Sequence, residues 1–255
     1  MHLMAKKLSK ADLHMHTTFS DGNATVDEVL DYVARRTDLR VIAITDHNTI
    51  EGALEAQKIA REKKYNFEVI VGEEVSTNRG HVLGLFLKQR IPPHLSVRKT
   101  VKLIKAQGGL AVPSHPFYFT AINAASKHEI MNGIGLKYIT KNLKYIDAIE
   151  TVDGTPTLAD ENFMAHFWNT TFLHLPETGG SDSHILDAIG MGYTLFEGKT
   201  ARDLRRDILR GQTKSVGKRW KLLGLLKYGF YFFPEAIRLG IYTLIHGKRE
   251  IPSQK

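Results

Sequence analysis

Cysteine is absent from this sequence. That absence excludes disulfides, thiolate nucleophiles and cysteine-ligated zinc, and it suits a reducing, cytoplasmic compartment. Long apolar runs are missing too. The most apolar stretch, towards the C-terminus, is interrupted by Lys227, Glu235 and Arg238, so no transmembrane span is expected. Met1 to Lys10 has three lysines but no apolar core, so no secretory signal is expected. No repeat and no low-complexity tract is found.

The 255 residues are 42% hydrophobic and 24% charged, an ordinary balance for a soluble globular chain with one large core, or a core plus an appendage. Charge is distributed unevenly. Residues 214–249 hold eight basic residues and one acid, Glu235, out of a formal net charge of +8. Residues 1–213 are therefore nearly neutral, and the sequence divides into a body, 1–213, and a basic, aromatic-rich tail, 214–255.

Within the body, short β-rich runs alternate with helix-like stretches. Strands are expected at Ala11–Leu13, Val41–Ile44, Phe67–Val71, Val82–Phe86, Leu110–Val112, Ile146–Thr151, Leu175–Glu177 and Tyr193–Phe196. Helices are expected at Thr25–Arg36, Thr49–Lys64, Ser96–Gln107, Leu136–Leu143, Thr157–Asn169 and Thr200–Arg210. Thr25 and Thr49 read as N-caps, and Glu28 completes a capping box with Thr25. This alternation predicts an α/β fold with a mainly parallel sheet, closed or nearly closed.

Polar, metal-competent residues recur at the strand ends. Asp12-Leu13-His14-Met15-His16 is followed by Ser20-Asp21-Gly22. On extended chain His14 and His16 share a face, about 7 Å apart. Further along come Thr45-Asp46-His47, Gly72-Glu73-Glu74-Val75-Ser76, Gly80-His81-Val82-Leu83-Gly84, Ser114-His115-Pro116 and Gly180-Ser181-Asp182-Ser183-His184. Six of the twelve histidines fall in these motifs. Alone, an Asp-His pair or a His-Pro is usually a turn. Together, at the ends of successive strands where barrel enzymes gather reactive groups, they point to a metal site.

These motifs resemble those of the polymerase and histidinol phosphatase (PHP) superfamily of metal-dependent phosphoesterases. The resemblance spans residues 12–184, with the general layout continuing to about 213. It implies a distorted (β/α)7 barrel carrying two or three divalent ions, three being favoured because each position of the nine-ligand pattern is filled. His14, His16, Glu74 and Asp182 would hold one ion. Glu74, as a bridge, would hold a second with His81 and His115. Asp21, His47 and His184 would hold a third. The family pattern selects Glu74 over Glu73, and strand alternation allows only one of them to reach the ions. Asp12 and Asp46 are expected to support catalysis by orienting ligand imidazoles or water. A donor set of imidazoles and carboxylates without thiolate suits manganese, iron or zinc.

The implied reaction is hydrolysis of a phosphate ester by metal-bound hydroxide, with a small substrate such as a nucleotide monoester first. An exonuclease-like phosphodiesterase acting on oligonucleotide ends is the alternative. A non-enzymatic, membrane-docked protein retaining the fold is a third reading. The segment Phe117–Leu143 reads as a substrate cover in which Lys127, His128 and Lys137 could grip a phosphate, or equally as a solvated surface. Asp153, after a strand, is a further candidate contact.

For the tail, Pro234 should interrupt any helix, and Lys218, Lys221, Gly224 and Lys227 would form a basic stripe beside an apolar face. An amphipathic helix in an anionic membrane interface is the first reading, making the protein peripherally membrane-associated. Packing on the barrel or another subunit comes second, and nucleic-acid binding third. The oligomeric state is not legible.

Overall fold

The computed structural model describes residues 8–118 and 133–233. Lys127, His128 and Pro234 lie outside the described residues. The order is β1 (Leu8–Asp12), α1 (Val26–Arg36), β2 (Leu39–Ile44), α2 (Glu51–Glu62), β3 (Glu68–Ser76), β4 (His81–Leu85), α3 (Val97–Ala106) and β5 (Leu110–Pro113). Then follow α4 (Gly135–Asn142), β6 (Ile149–Asp153), α5 (Ala159–Trp168), β7 (Glu177–Gly180), β8 (Gly192–Glu197), α6 (Ala201–Leu209) and β9 (Lys214–Gly217). Residues 222–233 are helical and are called α7.

Seven strands form a curled sheet in the order β5-β4-β3-β2-β1-β8-β9, and β6 pairs with β7 separately. The β6–β7 pair lies across the open side of the curl, against β5 on one edge and β8 and β9 on the other. The architecture is thus of the expected α/β barrel type, curled into a half-barrel, with a sheet that is mixed rather than mainly parallel. β1–β2–β3 are parallel, whereas β3–β4, β4–β5, β1–β8 and β8–β9 are antiparallel. For β3–β4 the reason is chain length. A parallel crossover needs about a dozen residues, and only residues 77–80 separate β3 from β4.

The core explains why β2 reads as a continuous apolar run. Val41 and Ala43 belong to a cluster inside the curl, while Ile42 and Ile44 belong to a second cluster under the helices. Both faces of the strand are buried, as in sheets covered on both sides. Leu204 and Ile208 of α6 join the inner cluster, and Val29, Leu30 and Val33 of α1 join the outer one.

Local chemistry sets several boundaries. Thr25 caps α1 in a reciprocal capping box with Glu28, as expected. Thr49 does not cap α2: the N-cap position is Ile50, and the Thr49 hydroxyl only accepts from the Glu51 amide at 3.2 Å. The strand expected at Leu175–Glu177 runs instead from Glu177 to Gly180. Its Thr-Gly-Gly sequence looks like a turn, yet both glycines are required by close approach. A Cβ on Gly179 would meet the Tyr193 carbonyl oxygen at 2.7 Å, and one on Gly180 would meet His14 Cβ at 2.4 Å. The division at 213/214 cuts through the sheet, because Lys214–Gly217 is its edge strand beside β8. Lys218 to Lys221 are not helical, so the expected Lys-x-x-Lys stripe does not form on one helix.

Candidate metal centre

The strand ends bring the expected motifs to one place. Past β1, Met15 bridges in parallel to Ser183, and the His16 amide donates to the Ser183 carbonyl at 2.9 Å. Past β2, His47 bridges to Glu74 on β3. These pairings draw Asp182–His184, His14–His16, His47 and Glu74 into adjacent positions.

Glu74 is the hub. Its Oε2 lies 3.1 Å from His14 Nε2 and 3.3 Å from both His16 Nε2 and His47 Nδ1. Its Oε1 lies 3.0 Å from His81 Nδ1 and 3.0 Å from His115 Nε2. Glu73 turns to the opposite face, where it accepts from the Ile91 amide at 2.8 Å, as strand alternation requires. Asp182 Oδ1 faces His16 Nε2 at 3.0 Å and His14 Nε2 at 3.4 Å. Asp21 faces His184 Nε2 at 3.2 Å and His47 Nε2 at 3.6 Å.

Four-residue groups able to hold a cation are His14, His16, Glu74 with Asp182, and His16, Asp21, His47 with His184. The middle group is looser than expected. His47, Glu74 and His81 gather together, while His115 gathers with Asp153 and Asp182 although it also touches Glu74. Asp153 therefore belongs to the centre, where sequence reasoning gave it only a substrate contact. Its Oδ1 accepts from the Thr155 amide at 2.7 Å.

Two ligand-bearing residues sit in left-handed backbone, His115 at φ 29° and Asp182 at φ 48°. Such conformations in non-glycine residues cost about 1–3 kcal/mol and need support from their surroundings. Glu150 supplies it for His115, accepting that residue's amide at 2.8 Å. The same carboxylate lies 3.2 Å from His14 Nδ1. A carboxylate on Nδ1 fixes the tautomer and leaves Nε2 free to ligate. Sequence reasoning missed Glu150, which sits inside an apolar strand without a motif around it.

The support expected from Asp12 and Asp46 takes a different form. Neither carboxylate touches an imidazole. Asp12 accepts from the backbone amides of Ser181 at 2.9 Å and Gly190 at 2.8 Å. Asp46 accepts from the Thr17 amide at 2.7 Å, the Thr17 hydroxyl at 2.8 Å and the Ser20 hydroxyl at 2.7 Å. Both tie down the loops that carry ligands, because short carboxylates after a strand meet neighbouring amides first. Lys137 is exposed on α4 with its Nζ over the Tyr138 ring and does not line the cavity.

The electrostatics are those of a cation site. Burial opposes charge on Glu74, yet the imidazoles of His14, His81 and His47 hold its carboxyl well below the usual range. Burial would depress His16, but its hydrogen bond to Asp182 and the close Glu74 carboxylate, with Asp21 nearby, raise it to about 10. Burial dominates at His47 and, with the charges of His16 and His81, pushes it down to about 3 despite Glu74. Burial, then Asp182 and Glu150, hold Asp153 well above the usual range. His14 Nε2, Asp21 Oδ1, His47 Nδ1, Glu74 Oε2, His81 Nδ1, His115 Nδ1 and Asp153 Oδ2 are buried without a hydrogen bond. Buried polar atoms are normally satisfied. Orphaned lone pairs from imidazoles and carboxylates, gathered in overlapping groups, are what divalent ions require, so the donor set fits the metals that the sequence implied.

A model of the PHP domain matches residues 12–212. The chain belongs to the PHP family. It is accordingly a metal-dependent phosphoesterase, as its motifs implied. Among relatives, protein MJ1587 of Methanocaldococcus jannaschii is 36% identical over 161 residues, covering 52% of this chain and 93% of that protein. A 5'-3' exoribonuclease of Haemophilus influenzae is 34% identical, covering 40% of this chain and 38% of that enzyme. A 3',5'-nucleoside bisphosphate phosphatase of Chromobacterium violaceum is 32% identical, covering 37% and 34%. This chain therefore spans little more than a third of either enzyme. A two-domain protein from Bacteroides vulgatus containing a predicted PHP-like metal-dependent phosphoesterase superposes with a TM-score of 0.64 at 18% identity, covering 83% of this chain and 65% of that one, which supports the fold.

The tail contributes to this PHP centre in a way its composition did not reveal. A cavity of about 320 Å³ opens above the cluster, with His47, Glu74, His81, His115, Asp182 and His184 along its floor. Tyr118, Thr155, Thr157 and Leu158 form its wall, and Tyr228 and Phe232 of α7 its roof. The helix is fastened at several points. Trp220 Nε1 donates to the Gly154 carbonyl at 2.7 Å, and the Tyr231 hydroxyl donates to the Asp21 carbonyl at 2.6 Å. Phe232 meets His184 edge-on at 5.6 Å. Among the described residues no helix is long and apolar enough to cross a membrane.

Proposed function

We propose that this protein hydrolyses a small phosphomonoester, with a nucleotide as the leading substrate class, using three divalent ions. His14, His16, Glu74 and Asp182 hold one ion; Glu74, His81 and His115 hold a second, with Asp153 beside it; Asp21, His47 and His184 hold a third. Manganese, iron and zinc all suit these donors. Bound there, the ions supply Lewis acidity towards phosphoryl oxygens and acidify a coordinated water.

The chain's own residues do the rest. Glu150 fixes the His14 ring and the His115 backbone. Tyr228, hydrogen-bonded to Thr155 and kept neutral by burial and the nearby Asp182 charge, offers a hydroxyl to the cavity. Phe232 and Leu158 give the space above the cluster its apolar lining. The observation that carries the reading is the set of orphaned donor atoms around Glu74. The monoester preference rests on the roofed cavity of about 320 Å³, the size of a small-ligand pocket, and on the near-neutral body.

The second reading, a phosphodiesterase acting on oligonucleotide ends, draws on the exoribonuclease relative. Metal-loaded protein should release phosphate from nucleoside monophosphates faster than it shortens oligonucleotides. The reverse order would establish the diesterase reading, and inertness on both would remove the nucleotide class.

A further inference from the structure

The outward face of α7 has no partner among the described residues. Leu222, Leu223, Leu226, Phe230 and Phe233 are 73%, 66%, 62%, 85% and 67% exposed. At about 100° per residue these five positions fall within one arc of about 100° on the helix. The opposite face is committed to the metal cavity through Tyr228 and Phe232. An apolar groove continues the exposed surface from the helix to the body. It has a volume of about 780 Å³, with Leu226 and Phe230 on one side and Ala24, Ile185 and Leu186 on the other; Glu28, held in the α1 capping box, and Asp187, paired with Lys227, also line it.

The charges beside this face select its occupant. Lys218, Arg219 and Lys221 are exposed immediately before the helix. Lys227 is held by Asp187 at 2.7 Å and is not counted among them. Residues 214–249 contain a single acid. Lys218 reaches over the Tyr193 ring at 5.4 Å, while a stripe of large apolar side chains preceded by exposed cations is the chemistry of a surface that enters an anionic lipid interface. Nucleic acid would use the cations but leave the five apolar groups in water, and a second copy of the face would set cations against cations.

We propose that the outer face of α7 docks on an anionic lipid bilayer, so that the helix roofing the metal centre is also the membrane contact. The mouth of the centre then lies next to the bilayer, with its roof clasped between lipid and cluster.

The test is co-sedimentation of the full chain with phosphatidylcholine vesicles containing or lacking phosphatidylglycerol. Binding to the anionic vesicles alone is expected, weakened about tenfold or more by Leu223→Glu with Phe230→Glu. Both side chains are exposed, so far-UV circular dichroism should be unchanged. Lys218→Glu with Arg219→Glu and Lys221→Glu, which alters no apolar group, should abolish the preference for anionic vesicles. No binding to anionic vesicles, or binding unaffected by the apolar pair, overturns the proposal. A dimer dissociated by the apolar pair overturns it in favour of a second copy. Oligonucleotide binding lost in the charge variant, with no vesicle binding, overturns it in favour of nucleic acid.

Discussion

Replacing Glu150 with glutamine perturbs the centre through a residue outside the expected ligand set. Its carboxylate serves two groups at once, the His14 ring at 3.2 Å and the His115 amide at 2.8 Å. Both are donors, and a carboxylate can accept from both. Glutamine keeps one acceptor oxygen and turns an NH2 group towards the other donor, so one contact becomes repulsive. A buried hydrogen bond to a charged group contributes about 1.5–3 kcal/mol. Loss of the support also frees His115 to leave its φ of 29°. Residues that orient ligand histidines typically govern metal affinity by about 10- to 100-fold, and that is the expected loss in Glu150→Gln. Titration of metal-free protein with Mn²⁺ against a chromogenic chelator measures it, with circular dichroism confirming the fold. Unchanged affinity in a folded variant would refute the orienting role and mean that the His14 and His115 positions are fixed by their loops alone.

Two further outcomes follow from the geometry. Gly180→Ala places a Cβ 2.4 Å from His14 Cβ and 3.0 Å from Glu150 Oε1, so it should lose about 1–3 kcal/mol of stability and bind less metal. Gly211→Ala, with nothing within 4 Å of the new Cβ, should leave metal content unchanged when both are measured by elemental analysis. Burial raises Glu73 to about 7 against its backbone hydrogen bond from Ile91 and the Arg90 charge. Between its ordinary value and that one the folded chain holds a proton the unfolded chain has released, so stability falls as pH rises, by up to about 3 kcal/mol. Glu73→Gln should flatten this slope in denaturant titrations from acidic to neutral pH; an unchanged slope would show that Glu73 ionises freely in the fold.

The centre was legible because its ligands carry local signals. His-x-His on extended chain and Asp-His or Ser-His-Pro after apolar runs are short-range patterns, and the fold only had to bring them together. Glu150 was hidden because nothing in Ile149–Asp153 distinguishes it from any acid in a strand. β7 was displaced because Gly179 and Gly180 answer to Tyr193 and His14, contacts no window along the sequence contains. Asp12 and Asp46 were expected to orient imidazoles, but their partners are loop amides and hydroxyls, which depend on tertiary geometry. The roofing role of α7 was invisible for the same reason. Its aromatic residues looked uniformly apolar, and only packing separates Tyr228 and Phe232, over the cavity, from Phe230 and Phe233, in water.

The central claim is that Glu74 and the eight ligand residues around it form a three-ion phosphoesterase centre. Elemental analysis of metal per chain, in wild type and Asp21→Ala, with p-nitrophenyl phosphate hydrolysis measured on the same samples, tests it most directly. The account predicts about three equivalents in the wild type, one fewer in Asp21→Ala, which removes the carboxylate facing His184 and His47, and a parallel fall in activity. Two or fewer equivalents, unaffected by the substitution, would contradict it and leave Asp21, His47 and His184 without a metal to hold.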